Sequence, residues 1–92
     1  PVVNGTLYGI SVGPGDPELI TIKGLRSLQQ APIVAFPQGM QGKPGIAQQI
    51  ITPWLRSHQQ QLPLHFPYVQ DMEVLTRAWQ LAAKQVWTYL QQ

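Results

Sequence analysis

The chain has 92 residues, of which 43% are hydrophobic and 11% are charged, and its formal net charge is +2. This length allows one small domain, with a core near the lower limit for independent stability. The weak, scattered charge excludes a nucleic-acid footprint, the lack of cysteine excludes disulfides and thiolate metal sites, and no apolar run reaches the ~18 residues of a membrane span. We therefore expect a globular, cytoplasmic protein without nucleic-acid or membrane partners.

The first third of the chain is predicted to form a strand, a helix and a second strand. Residues 6–12 are β-rich and bounded by glycines, which predicts the first strand. The run Asp16-Pro17-Glu18 predicts a helix start, because Asp can cap, Pro suits the first helical position and Glu suits the positive helix end. The apolar run 33–37 predicts a strand covered on both faces. The helix stripe comprises Leu19, Ile22, Leu25 and Leu28.

The middle of the chain is predicted to continue with a loop, a helix and a weaker strand. Residues 38–45 are glycine-rich and predict a flexible loop. Pro53 must kink or restart the following helix, since proline removes a donor and restricts the residue before it. Pro63 favours an edge position for a strand over residues 61–66. The helical face comprises Ile46, Ala47, Ile50, Ile51, Trp54 and Leu55.

The last predicted element is a helix that Asp71 caps. The element order is therefore β-α-β-α-β-α. Strands separated by helices predict parallel pairing, so the expected fold class is a three-layer α/β domain. One side of the last helix is formed by Leu75, Ala78, Trp79, Ala82, Val86 and Leu90.

The turn Gly13–Pro17 follows the first predicted strand, at the end of an α/β sheet where ligands gather. It does not suit phosphate, because Pro14 and Pro17 lack N–H donors and Asp16 and Glu18 bring negative charge. A stiff wall without bulky side chains instead suits a flat or cationic ligand. The alternative is that these residues form only a rigid turn with a helix cap.

The sequence from Leu7 to Pro37 resembles the opening of the tetrapyrrole methylases, the S-adenosylmethionine-dependent enzymes of cobalamin and sirohaem synthesis. Their first strand leads into a Gly-x-Gly-Pro-Gly-Asp turn and a Leu-Leu-Thr-rich helix, which residues 11–17 and 19–21 match, with Ser11 where glycine or alanine is common. The stretches "LPLHFPYVQDMEVLTRAW" (62–79) and "IVAFPQG" are similar to the precorrin-2 C20-methyltransferase branch. Uroporphyrinogen methylases tend to carry an acidic residue just after this strand, so their acid–base residues are not transferred.

The resemblance implies a two-domain enzyme with S-adenosylmethionine bound in the cleft between the domains. Residues 1–92 would be its N-terminal α/β domain, and the C-terminal remainder, with a Gly-Asp-Pro sequence that holds much of the donor, would be missing. Pro14 is the implied donor contact, with Gly13, Gly15 and Asp16 beside it. The full-length enzyme would methylate precorrin-2, or its cobalt form, at C20 to give precorrin-3A. We expect a homodimer when full-length and an inactive 92-residue chain.

Other polar residues have competing interpretations. Lys43 could bind substrate carboxylates or be a solvated loop lysine. Asp16 could stabilise the cationic donor, although a capping role is favoured, and no catalytic base is identified. His65 is expected to be structural and His58 to lie in a turn.

Tyr68 and Trp79 are expected to pack in the interior, and the two histidines lack the spacing of a metal site. Two alternative functions stay open at this point. One is another corrinoid or uroporphyrinogen methyltransferase. The other is a stand-alone α/β interaction module.

Overall fold

The computed structural model describes residues 5–39, 43–67 and 69–91. Strands β1 and β2 form a parallel two-stranded sheet, and three α-helices accompany it, so the predicted α/β class is confirmed. Short 3₁₀ turns lie at Pro17–Leu19 and Thr52–Trp54. The regular elements are α1 (Ile22–Gln30), β1 (Ile33–Pro37), α2 (Ile46–Ile51), β2 (Gln60–Leu64) and α3 (Met72–Leu90).

The chain divides into two compact units. The first unit comprises Tyr8–Pro63, and the second combines the described residues of the two chain ends, 5–7 and 64–91. In the first unit a buried cluster joins α1, β1 and α2. The cluster consists of Leu28, Val34, Phe36 and Ile51, and Ile10, Val12, Ile20, Ala31, Trp54 and Leu55 pack against it half-buried.

The first predicted strand is not observed. Residues 6–12 contain neither strand nor helix, and the observed order begins with α1. The apolar side chains Ile10 and Val12 nevertheless pack on the core cluster. Leu7 and Tyr8 are both 67% exposed. Of this segment, only Ile10 and Val12 therefore contribute to packing. A strand also requires a hydrogen-bonded neighbour, which only tertiary structure supplies.

Strand β1 is covered on one face only among the described residues. Val34 and Phe36 are buried, whereas Ala35 and Pro37 between and after them are exposed. This alternation is typical of a half-buried strand, so the prediction of cover on both faces is wrong for this chain.

Helix α1 begins later than predicted. Thr21 is its N-cap, and its Oγ1 accepts a hydrogen bond from the Gly24 amide at 2.9 Å. Asp16 caps the preceding 3₁₀ turn instead. Leu19 and Ile22 are 58% and 71% exposed, so only the C-terminal half of the predicted stripe faces the core. Leu19 lies in the 3₁₀ turn before the helix, and Ile22, the first residue of the helix, is exposed although it is three residues from Leu25.

Gly24 is closely packed, as a glycine inside a helix suggests. A Cβ atom at this position would lie 2.9 Å from Thr21 Oγ1 and 3.4 Å from Ile10 Cγ2. The cap and the segment before the turn therefore leave no room for a side chain. Any larger residue would displace the cap hydroxyl or the Ile10 methyl group.

The buried amide of Gln59 terminates α1. Its Nε2 donates to the carbonyl oxygens of Leu28 and Ala31 at 2.7 and 2.6 Å, and its Oε1 accepts from the Arg56 amide at 2.9 Å. The last carbonyls of a helix have no partner within it, and Gln59 supplies one. This side chain therefore joins the end of α1 to the segment that leads into β2.

The predicted interruption at Pro53 is confirmed. Helix α2 ends at Ile51, and the chain continues as the Thr52–Trp54 turn with Pro53 inside it. Pro63 lies within β2, which is an edge strand because the sheet has two strands. This is the position in which a strand tolerates the loss of a backbone donor.

In the second unit, Asp71 caps α3 as predicted. Its Oδ1 accepts from the amides of Glu73 and Val74 at 2.9 and 3.4 Å. Ala82 is buried, but Trp79 is 49% exposed, so the prediction of Trp79 as a core residue is wrong. It follows the half-buried Ala78 by one residue, and a step of about 100° around the helix turns it away from the inward face.

Candidate functional site

The Gly13–Asp16 turn has a backbone that needs glycine. Gly13 has φ +87° and Gly15 has φ +152°, both in a region that other L-residues rarely adopt. All four residues of the turn are exposed. The structure therefore brings the predicted donor-site residues Gly13, Pro14, Gly15 and Asp16 together in one accessible bend.

The two glycines of the turn have different surroundings. A Cβ atom at Gly13 would lie 3.1 Å from the carbonyl oxygen of Leu19, whereas one at Gly15 would have no described atom within 4 Å. Gly13 is thus packed against the following 3₁₀ turn, and Gly15 faces open space. The open side is the side that a ligand could approach.

Asp16 combines a capping role with an accessible charge. Its Oδ1 accepts a hydrogen bond from the Glu18 amide at 2.9 Å, and its backbone carbonyl accepts one from the Leu19 amide at 2.9 Å. The residue is nevertheless exposed. The capping role is therefore present, and it leaves the negative charge of the carboxylate at the surface.

The turn is a poor cradle for an anion. Pro14 and Pro17 have no N–H group, and the amides of Glu18 and Leu19 are already bonded to Asp16. The exposed carboxylate adds repulsion. The local chemistry thus favours a neutral or cationic ligand over phosphate.

Trp54, in the 3₁₀ turn that follows α2, anchors this region. Its indole Nε1 donates to the carbonyl oxygen of Pro17 at 3.1 Å. Sequence reasoning placed Trp54 only on an apolar helix face. Its partner is 37 residues away in the chain, and no local pattern identifies such a pair.

Lys43 is exposed in the loop between β1 and α2. Within the described ranges no hydrogen bond joins it to the turn, and its role as a substrate contact stays a prediction. His58 lies in an exposed turn, as predicted, and His65 is exposed just after β2. Tyr68 lies outside the described residues.

The described residues contain neither a metal-binding cluster nor a helix suited to a membrane. No cluster of three or more His, Cys, Asp or Glu side chains suited to a metal ion occurs among them. None of the helices in that part of the chain has the length and apolar character needed to cross a membrane.

The α/β fold and the proline–glycine turn occur in a chain that is similar to known proteins over almost its whole length. Residues 6–92 match the family model described as Tetrapyrrole (Corrin/Porphyrin) Methylases. The chain belongs to this family.

Three curated relatives, two of them named as C(20)-methyltransferases, are similar to most of this chain. The chain is 43% identical over 67 residues to "Cobalamin biosynthesis protein CobIJ" of Mycobacterium tuberculosis, covering 73% of this chain and 13% of that protein. It is 33% identical over 69 residues to "Precorrin-2 C(20)-methyltransferase" of a Sinorhizobium species. This match covers 75% of this chain and 28% of that protein. It is 34% identical over 80 residues to "Probable cobalt-precorrin-2 C(20)-methyltransferase" of Methanocaldococcus jannaschii. This match covers 87% of this chain and 34% of that protein. The matched chain thus spans about a third or less of each relative's length.

Proposed function

We propose that the protein containing this chain methylates C20 of precorrin-2, or of its cobalt form, to give precorrin-3A or its cobalt counterpart, with S-adenosylmethionine as donor. The observation that carries the proposal is the identity of 33% and 34% to relatives named C20-methyltransferases, over 75% and 87% of this chain. In this proposal residues 1–92 form the N-terminal α/β domain, and the full-length protein is a cytoplasmic homodimer.

The Gly13–Asp16 turn is the proposed donor wall. Its open side at Gly15 admits a ligand close to the backbone, and Pro14 is the proposed contact. The donor is a sulfonium cation, which supplies an already activated methyl group. The exposed Asp16 carboxylate suits that positive charge, and the engagement of the Glu18 and Leu19 amides with Asp16 disfavours phosphate at the same place.

The chemistry requires alignment more than activation. The C20 carbon of the tetrapyrrole attacks the methyl carbon in line, the carbon–sulfur bond breaks, and S-adenosylhomocysteine leaves while C20 loses a proton. Holding two reactants in such a geometry can supply about 7–11 kcal/mol. The turn would provide the fixed wall for one reactant, because Pro14 restricts its backbone and Gly13 is packed against Leu19.

Lys43 is the proposed contact for substrate carboxylates. It is an exposed cation in the loop that follows the carboxyl end of β1. In α/β sheets ligands gather at that end of the strands. A lysine there offers three N–H donors and a positive charge to a tetrapyrrole with many acidic groups.

The test uses the full-length protein. Donor binding is measured by calorimetric titration with S-adenosylhomocysteine, and methylation by mass spectrometry of precorrin-2 incubated with S-adenosylmethionine. We expect stoichiometric donor binding and a mass gain of one CH₂ unit, since a methyl group replaces a hydrogen, with the new methyl group assigned to C20 by NMR. Replacing Pro14 by Ala should weaken donor binding about three- to tenfold, because the turn loses a conformational constraint. The matched control is Pro32→Ala, at an exposed proline outside the turn, which should leave donor binding unchanged.

Different negative results separate the alternatives. Donor binding with methylation of another carbon, or of another precorrin or uroporphyrinogen, would indicate a different tetrapyrrole methyltransferase. Absence of both donor binding and methylation would refute the proposal and favour an interaction module. The 92-residue chain alone should bind the donor feebly and turn over nothing, so tight stoichiometric binding by that chain would contradict the proposed division of the cleft.

A further inference from the structure

We propose that Trp54 is a positioning residue that fixes the donor-binding turn through its indole N–H. This inference rests on the proposed function of that turn. Its starting point is the hydrogen bond from Trp54 Nε1 to the Pro17 carbonyl oxygen, at 3.1 Å and partly buried. Pro17 immediately follows the four proposed donor-site residues.

A short backbone path connects this hydrogen bond to Gly13. Pro17 begins the 3₁₀ turn that ends at Leu19, and the Leu19 carbonyl oxygen lies against Gly13. The Leu19 amide is in turn bonded to the Asp16 carbonyl at 2.9 Å. A displacement of Pro17 therefore moves the 3₁₀ turn, and with it the surface against which Gly13 is packed.

The Pro17 carbonyl has a weak alternative partner. Within the 3₁₀ turn it accepts from the Ile20 amide at 3.5 Å, the outer limit for a hydrogen bond. The indole at 3.1 Å is the closer donor. Loss of the indole N–H would leave this carbonyl with only the long contact, so the 3₁₀ turn would be less firmly placed.

Trp54 itself is held from two directions. Its side chain packs half-buried on the core cluster, and its backbone carbonyl accepts from Gln29 Nε2 at 3.0 Å. Gln29 Oε1 accepts in turn from Arg56 Nη2 at 3.2 Å. The 3₁₀ turn that contains Trp54 also includes Pro53, which restricts its backbone. The indole is thus a rigid donor, as a positioning group must be.

The main test is Trp54→Phe in the full-length protein, which removes the N–H and keeps an aromatic side chain. We expect the Kd for S-adenosylhomocysteine to rise about three- to tenfold, the range for loss of one hydrogen bond. The KM for the tetrapyrrole should change much less. Trp79→Phe, at a half-exposed tryptophan of α3, is the control and should leave donor binding unchanged.

A double-mutant cycle tests whether Trp54 acts through the turn. If Trp54→Phe and Pro14→Ala loosen the same bend, the double variant should lose less donor affinity than the sum of the two single losses. Additive losses would show independent effects and overturn the positioning role. So would an unchanged donor Kd in Trp54→Phe accompanied by reduced stability, since Trp54 would then be structural only.

A measurement on the wild-type protein covers the case in which Trp54→Phe fails to fold. The indole N–H resonance of Trp54, assigned by substitution of the other tryptophans, should shift on addition of S-adenosylhomocysteine, while that of Trp79 should not. An unmoved Trp54 resonance at donor saturation would overturn the inference and leave the proposed function standing. A wild-type protein that binds no donor would instead refute the proposed function, and the inference with it.

Discussion

The backbone of Gly13 packs directly against the carbonyl group of Leu19, whose oxygen would lie 3.1 Å from a Cβ atom added at Gly13. Gly13 also has φ +87°. Gly13→Ala should therefore destabilise the protein by about 1–3 kcal/mol, through strain in the backbone and crowding of the carbonyl. Urea unfolding measures the change. Gly9→Ala is the control, because no described atom lies within 4 Å of its added Cβ. Equal effects of the two substitutions would contradict the prediction.

Replacing Asp16 by Asn separates its cap from its charge. Asn retains a capping oxygen for the Glu18 amide, so stability should change by less than about 0.5 kcal/mol. Donor affinity in the full-length protein should fall if the carboxylate faces the sulfonium, and we expect a loss of about two- to fivefold. The matched control is Asp71→Asn, which makes the same change at the cap of α3. Unaltered donor binding by Asp16→Asn would restrict Asp16 to capping.

Gln59→Leu should be among the most destabilising polar substitutions in the first unit. It leaves the Leu28 and Ala31 carbonyls and the Arg56 amide without their side-chain partner. Each buried polar group left without a partner can lower the free energy of unfolding by about 1–3 kcal/mol. We expect a total loss of about 2–4 kcal/mol for this substitution. Thermal or urea unfolding checks this against Gln61→Leu, at an exposed position of β2. A loss below that of the Gln61 control would show that the amide network contributes little.

Two isoleucines of α2 provide a test of the core. Ile50 is 1% exposed and Ile46 is 73% exposed. Ile50→Ala should cost about 2–5 kcal/mol through lost burial and a cavity, whereas Ile46→Ala should cost less than about 0.5 kcal/mol. Unfolding free energies of the two variants measure the difference. Comparable losses would mean that Ile46 is covered in the folded protein.

The 92-residue chain should self-associate through α3. Trp79, Leu81 and Trp87 are 49%, 57% and 50% exposed, and the last two share a shallow groove with Arg77 and Lys84. Apolar surface of this kind favours association. Sedimentation velocity should show mass increasing with concentration, and Leu81→Gln with Trp87→Gln should reduce the increase. A Thr76→Gln and Thr88→Gln variant, which leaves the apolar side chains in place, is the control. A clean monomer at high concentration would contradict the prediction.

The elements predicted well are those specified by adjacent residues. Asp71 caps α3 through the two amides that follow it, and Pro53 interrupts α2 through its own ring. Such effects depend on residues within one turn, so the amino-acid pattern predicts them. Two residues, Asp16 and Thr21, could each have capped the start of α1. The Asp-Pro-Glu run predicted the start of α1, but it began a 3₁₀ turn, and Thr21 with the glycine three residues later marked the helix itself.

The features that sequence reasoning missed depend on distant parts of the chain. Residues 6–12 were predicted to be a strand from their composition, yet a ladder requires a neighbour that composition does not specify. The Trp54–Pro17 hydrogen bond joins residues that are 37 positions apart in the chain. The hydrogen bonds of Gln59 span up to 31 positions. The bend at residues 13–16 was predicted because glycine and proline report local backbone geometry, and the donor-binding role of its residues stays a prediction. Their anchor was not found, because it comes from tertiary structure.

Proline occurs in both strands of the small sheet, at Pro37 in β1 and at Pro63 in β2. Each removes a backbone donor from a strand that would otherwise offer a regular edge to a neighbouring molecule. Self-association of this chain at high concentration should consequently occur through contacts between helix side chains. The resulting oligomers should dissociate on dilution. Growth into amyloid-like fibrils is disfavoured, because a continuous cross-β ladder would be broken at both prolines.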